Sequence, residues 1–140
     1  MGTSLLGIDH VALACTDMKA TERFYGEILG LPVVERADGV SQEWEGRAWR
    51  LAGFALPSGA LLDFFEVEGA ERPEPPGRLD TVRHVALAVA ARADLESLRA
   101  RLERSGVEIA EEQDHGAGRH SIYFFDPSHN YVEVTCRPGR

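Results

Sequence analysis

Apolar and polar residues alternate in short runs, and the runs come in the same order twice. Leu6–Ala14 reads as a strand led by His10, with Ala12 and Ala14 on the histidine side and Val11 and Leu13 opposite. Thr16 or Asp17 can cap a helix reaching about Leu29, in which Met18, Thr21, Phe24, Tyr25, Ile28 and Leu29 fall near helical spacing. Gly30 is placed to end it. Leu31–Glu35, Trp49–Leu56 and Ala60–Val67 read as strands, the last two joined by a turn at Pro57-Ser58-Gly59. The second half repeats this order. A strand at Val82–Val89 contains His84, and a helix at Asp94–Arg104 carries Leu95, Leu98 and Leu102 on one side. Gly106 ends that helix, and strands follow at Val107–Ala110, His120–Phe125 and Asn130–Thr135. The fold class is therefore α+β, each half strand–helix–strand–strand–strand.

Between the halves lies Gly69–Gly77, whose Pro73, Pro75 and Pro76 fit an extended linker. The expected organisation is one domain over residues 1–140, with modules at about 5–68 and 80–137 and a linker at 69–79. A length of 140 residues is enough for one ordinary core.

The pentapeptide His-Val-Ala-Leu-Ala occurs at His10–Ala14 and again at His84–Ala88. An identical repeat opened by a metal-ligating residue points to a duplicated unit, and to a site to which both copies contribute. The alanines beside each imidazole leave room for a cavity, whereas the Val/Leu side can pack under a helix. Glu133 lies in the apolar run Tyr131–Val134, where a charge is costly unless paired or metal-bound. Asp63 is its first-half counterpart. The alternative for either is an edge-strand carboxylate facing water. Two histidines and a carboxylate suit Fe(II) or a similar divalent ion and leave coordination positions open.

Charge and composition narrow the partners. A formal net charge of −8 argues against binding nucleic acid or an anionic membrane surface. No stretch is long and apolar enough to span a bilayer, and Met1–Gly7 lacks the pattern of a signal peptide. Cys15 and Cys136 form no CxxC pair and read as small buried hydrophobes. Together these features point to a cytoplasmic protein.

The two His-Val-Ala-Leu-Ala strands, the helix ending Phe24-Tyr25-Gly26-Glu27-Ile28-Leu29-Gly30-Leu31 and the closing Asp126–Glu133 segment resemble the vicinal oxygen chelate superfamily. That superfamily includes glyoxalase I, methylmalonyl-CoA epimerase, fosfomycin-resistance enzymes, extradiol dioxygenases and bleomycin-binding proteins. The resemblance runs from about Leu5 to Arg137. It implies two tandem βαβββ modules whose mixed sheets curl around a metal cleft, with His10, Asp63, His84 and Glu133 as ligands. Lyase and isomerase members use Glu or Gln where Asp63 stands. Asp63 is one methylene shorter, so binding through water or a role as base is open to it.

The segment Asp114–Pro127 is similar to the extradiol dioxygenase signature, which puts His115 and Tyr123 in catalytic roles with Glu133. His129 departs from it, standing where Gly or Pro is expected, as does Gln113. The leading expectation is a ring-cleaving, extradiol-type dioxygenase, with Fe2+ or Mn2+ on His10, His84 and Glu133. Three protein ligands leave an octahedral ion three positions, enough for a catecholate and O₂. The alternative is a glyoxalase- or epimerase-type lyase or isomerase using four ligands and Ni2+, Zn2+ or Co2+. A third reading is a metal-free antibiotic-binding protein, its aromatic cleft built from Trp44, Trp49, Phe54 and Phe65, with core packing the preferred reading for Phe54. Fosfomycin-type thiol transfer ranks lower, because no potassium loop or phosphonate-binding cluster is legible. Trp44, Trp49, Phe65 and Arg119 are the expected substrate contacts. Arg36 and Arg47 read as anionic-group contacts or as surface cations. The partners expected are a small-molecule substrate and a second copy of the chain, the homodimer resting on the resemblance alone.

Overall fold

A computed structural model describes residues 2–75, 77 and 80–139 of the chain. Met1, Pro76, Arg78, Leu79 and Arg140 lie outside the described residues, three of them in the expected linker. The contacts divide the chain into two compact units, Met1–Ala70 and Glu71–Arg140.

The first unit contains β1 (His10–Cys15), α1 (Met18–Glu22) with a π-helical continuation (Arg23–Ile28), β2 (Val33–Ser41), β3 (Arg47–Ala55) and β4 (Leu61–Val67). Its sheet runs β1-β4-β3-β2, with β1 parallel to β4 and the other pairs antiparallel. Asp17 starts the helix by accepting from the Ala20 N–H at 2.9 Å, so the cap is Asp17 rather than Thr16. From Arg23 the helix widens, and the Leu29 N–H reaches back five residues to the Phe24 carbonyl at 2.9 Å. Gly30 follows at φ +77°, a backbone conformation open to glycine at little cost. One side of the sheet forms the core with the helix. Cys15, Ala52, Phe54, Leu62 and Phe64 are buried there, with Met18, Phe24, Tyr25 and Ile28 from the helix. The Tyr25 ring lies 4.3 Å from Phe64.

The second unit repeats the plan with β5 (Val85–Val89), α2 (Arg92–Arg104), β6 (Glu111–Gly116), β7 (Arg119–Phe125) and β8 (Tyr131–Cys136). Its sheet runs β5-β8-β7-β6, with β5 parallel to β8. Leu95, Leu98 and Leu102 are buried on α2, and Ile122, Phe124, Val132, Val134 and Cys136 are buried in the sheet. Each unit is thus βαβββ, and the fold is α+β as expected. Cys15 and Cys136 are both buried. No described helix is long and apolar enough to cross a membrane.

Several boundaries differ from the sequence expectation. Residues 6–9 lie outside β1, which begins opposite Leu61, the first residue of its partner β4. Likewise β5 begins at Val85 opposite Val132, leaving Val82 in a short 3-10 turn and His84 just ahead of the strand. β2 continues to Ser41, because its polar residues still pair with β3 along an edge. The strand expected at Val107–Ala110 is instead Glu111–Gly116, every residue of which is exposed. Its ladder with β7 sets that position, beginning with Glu111 opposite Tyr123.

Candidate functional site

In the second unit, Ala86 on β5 pairs with Glu133 on β8, Glu133 with Tyr123 on β7, and Tyr123 with Glu111 on β6. Paired residues share a sheet face, so this register gathers His84, Glu133, Tyr123 and Glu111 on one side. His84 Nδ1 lies 3.1 Å from the Thr81 carbonyl and 3.0 Å from that of Val82. A carbonyl only accepts, so Nδ1 carries the hydrogen. His84 Nε2 then points at Glu133 Oε2, 2.9 Å away. On a neutral imidazole with Nδ1–H, Nε2 is a lone pair facing another acceptor, so the pair calls for a cation between them, either a proton or a metal ion. This donor set fits a divalent ion, with the ring orientation fixed from behind by backbone.

Glu133 is 4% exposed. Its Oε1 accepts from Ser121 Oγ at 2.6 Å. Ser121 has one hydroxyl proton to give, so toward His115 Nε2, at 3.1 Å, it is the acceptor. Thr135 Oγ1 lies 2.9 Å from the same oxygen. Burial pushes the Glu133 carboxyl up, but the hydrogen bonds from Ser121, His84 and Tyr123 outweigh it, and the group ends below the usual range. Burial, and then the Glu133 charge, push the Tyr123 phenol up. Tyr131 donates to Glu111 Oε2 at 3.3 Å, and burial followed by that carboxylate pushes it up to about 12. The Tyr123 and Tyr131 rings stack with centroids 5.6 Å apart. Arg119 opens β7 on the same face, and its Nε is buried without a hydrogen-bond partner.

The Asp-Pro segment proves to be a positioning device. Asp126 Oδ1 accepts from the N–H groups of Ser128 and Asn130 at 2.8 and 2.9 Å, and Oδ2 from Asn130 Nδ2 at 2.9 Å. This turn delivers the chain into β8 and so sets Glu133. His129 sits at φ +62°, which explains why glycine suits the position.

The first unit has the same register. Ala12 pairs with Asp63, Asp63 with Gly53 and Gly53 with Glu35, and His10 leads β1 on that face. Asp63 is 8% exposed, and its Oδ1 has no hydrogen-bond partner. A Cβ on Gly53 would lie 2.8 Å from that oxygen, 3.2 Å from Glu35 Cβ and 3.5 Å from Glu35 Oε2. Asp63 Oδ1 and the Glu35 side chain therefore occupy the space a side chain on Gly53 would need. His10 is exposed and paired to Asp9 at 2.8 Å. That bond, with the Asp63 and Glu35 charges, raises its pKa above the ordinary value against a smaller desolvation effect.

Further along the same face, Trp44, Trp49 and Phe65 pack together, with centroids 5.8 to 6.2 Å apart. Phe54 instead is fully buried against Tyr25 and Phe64, so it belongs to the core. Arg36 and Arg47 pair with Glu22 and Glu45. The four expected ligands thus appear as two pairs, one in each unit. Among the described residues no group of three or more His, Cys, Asp or Glu is drawn together as a metal site. Sequence reasoning missed Glu35, Glu111, Ser121 and Thr135. The available signal was alternation: Ser121 is two residues from Tyr123, and Glu35 and Glu111 hold matching places in the two outer strands.

Comparison with known proteins agrees with this architecture. The model of the Glyoxalase/Bleomycin resistance protein/Dioxygenase superfamily matches residues 7–134. Glutathione transferase FosA of Serratia marcescens is 30% identical over 131 residues, covering 93% of this chain and 80% of that protein. A glyoxylase/bleomycin resistance protein/dioxygenase domain from Frankia sp. EAN1pec superposes with a TM-score of 0.75 at 25% identity, covering 95% of this chain and 98% of that one. The fosfomycin resistance protein FosX of Listeria monocytogenes shares the fold, with a TM-score of 0.71 at 20% identity and coverage of 95% and 94%. With the duplicated βαβββ plan and a family match over nearly its whole length, the chain belongs to the Glyoxalase/Bleomycin resistance protein/Dioxygenase superfamily.

Proposed function

We propose that this protein is a divalent-metal-dependent enzyme acting on a small molecule with two neighbouring oxygens. The observation that carries the reading is the His84–Glu133 pair, whose Nε2 and Oε2 face each other while His84 Nδ1 is held by backbone carbonyls. His84 and Glu133 would hold the ion, with His10 as the third donor that the repeated motif supplies. When bound, such an ion supplies Lewis acidity toward negative charge developing on the substrate oxygens. The chain's own residues do the rest. Ser121 fixes Glu133, so this carboxylate serves as a ligand rather than as a mobile base. Tyr123, kept protonated by burial and by Glu133, gives its one proton to that carboxylate and presents its ring edge and phenolic oxygen to the substrate side. Arg119 Nε is a buried donor for an anionic atom.

Lewis-acid-assisted group transfer or addition is the reaction class favoured, since one relative matched over most of the chain at 30% identity is a glutathione transferase. Extradiol-type oxygen insertion is the second reading, favoured by His115, Tyr123 and Glu133 joining one network. In it His115 acts through Ser121. The deciding experiment is metal content on protein purified anaerobically without a metal-affinity tag. One ion per site, lost in His84→Ala, supports the reading; equal metal in His84→Ala overturns it. Iron with catechol-dependent O₂ uptake selects the dioxygenase, and turnover of an electrophile with a thiol selects the transferase.

A further inference from the structure

We infer that the outer edge of the first sheet, strand β2, pairs with β2 of a second copy of this chain, antiparallel about a two-fold axis at Ala37. Among the described residues β2 pairs only with β3, so the backbone N–H and C=O groups on its far side have no ladder partner. The strand is nine residues long, and Val34–Asp38 and Val40 are exposed. Its one irregularity, a bulge between Val33 and Glu35, leaves Glu35–Ser41 regular. Neither proline nor lysine interrupts it. An edge of this length is a template for another strand unless its sequence guards it.

The order of side chains identifies the second strand. Antiparallel pairing about Ala37 sets Arg36 opposite Asp38 of the second copy, and Asp38 opposite its Arg36. Residues opposite each other share a face, so a guanidinium meets a carboxylate on each side of the axis. Arg36 gives its Nε to Glu22 at 3.0 Å, and its terminal N–H groups remain to donate elsewhere. Asp38 lies across the ladder from Arg50, but Arg50 pairs with Glu66 at 2.7 Å. Glu35 falls opposite Gly39 and meets no like charge. Val34 and Val40, 57% and 65% exposed, come together at both ends. Moving the axis one residue either way sets Arg36 or Asp38 against itself, so charge fixes the register. The outer edge of the second sheet has the opposite character. β6 carries Glu111, Glu112 and Asp114, and pairing about Gln113 would set Glu112 against Asp114. Like charges directly opposite are destabilising, so β6 repels a copy of itself where β2 matches one. A strand added at the edge covers neither sheet face, so the pairing stands or falls separately from the metal reading.

The test is disulfide trapping of Ala37→Cys in the whole chain under mild oxidation. A residue on the axis faces its own copy with Cα atoms about 4.5–5.5 Å apart, within the range a disulfide closes. Both native cysteines are buried, so the parent chain serves as the blank. Ala37→Cys is expected to give a covalent species of twice 15.4 kDa. Val40→Cys should give it at least about tenfold more slowly, since the axis holds that position roughly 20 Å from its own copy. Adding Asp38→Arg to Ala37→Cys should slow trapping about tenfold, and adding Arg36→Asp as well should restore it, because the swap again sets each cation opposite a carboxylate. Asp38 and Arg36 are exposed, so these variants do not disturb the core. No trapping of Ala37→Cys would overturn the inference, and so would equally fast trapping of Val40→Cys. Trapping that Asp38→Arg leaves unchanged would overturn it too, because the contact would then lie on another surface.

Discussion

The two units are built on one register, yet their centres differ at a single kind of position. In each, a carboxylate on the strand parallel to the histidine strand pairs across the next strand toward an outer glutamate. In the second unit the intervening residue is Tyr123, and Glu133 has Ser121 and Tyr123 as donors and His84 Nε2 facing its other oxygen. In the first it is Gly53, and Asp63 Oδ1 is left without a donor. The residues one step along follow suit. Ser121 and Thr135 have Leu51 and Phe65 as their counterparts, a polar pair against an apolar one. Duplication thus preserved the backbone while the side chains on the two faces took on different chemistry.

The comparison can be broken most forcefully by making the second face resemble the first. Tyr123→Gly removes a buried aromatic and a donor to Glu133, and should cost about 4 kcal/mol in denaturant unfolding. A loss below about 1 kcal/mol would show that Tyr123 is not part of the packed network. Ser121→Ala leaves Glu133 Oε1 unmet and should cost about 2 kcal/mol, with weaker metal retention. Unchanged metal content would mean that Ser121 does not orient the ligand. The converse change, Gly53→Ala, forces Asp63 and Glu35 apart and should cost about 1–2 kcal/mol. A variant as stable as the parent would deny that close packing.

Asp63→Asn should hold or raise Tm, because it removes a buried charge with an unmet oxygen, and should leave metal content intact. Complete metal loss would place Asp63 among the ligands instead. The smallest effect concerns Tyr131. Its pKa is pushed from 10.0 to about 12, so the folded state holds the proton more tightly than the unfolded chain. The resulting stability is full below pH 10 and is lost as pH rises toward 12. Tyr131→Phe should therefore flatten the alkaline stability profile relative to the parent, and parallel profiles would contradict the assignment.

The fold was readable where burial writes a pattern. The repeated pentapeptide, the glycines that end both helical segments and the Leu95–Leu98–Leu102 stripe all reflect one buried side. It failed where no side is buried. β6 reads Glu-Glu-Gln-Asp-His-Gly, exposed throughout, so no alternation marks it, and the apolar Val107–Ala110 drew the strand expectation instead. The π-helical turn leaves no trace because its buried Phe24, Tyr25 and Ile28 also satisfy ordinary helical spacing. At the site, His84, Glu133, Tyr123 and Asp63 stood out as ionisable or polar groups at repeated or apolar positions. Glu35 and Ser121 did not, because their importance lies in the residues across from them, which only the register identifies.

The turn before β8 has a practical consequence for taking the molecule apart. His129 Nδ1 lies 2.7 Å from the Pro73 carbonyl, and its Nε2 contacts Arg72, so this stretch of the connection belongs with the second unit. A two-fragment version of the protein should accordingly be split after Ala70, where the contacts divide, and not among the later prolines. Fragments made there keep the His129 anchor intact, and mixing wild-type and altered halves would let each face be assayed in the presence of an unaltered copy of the other.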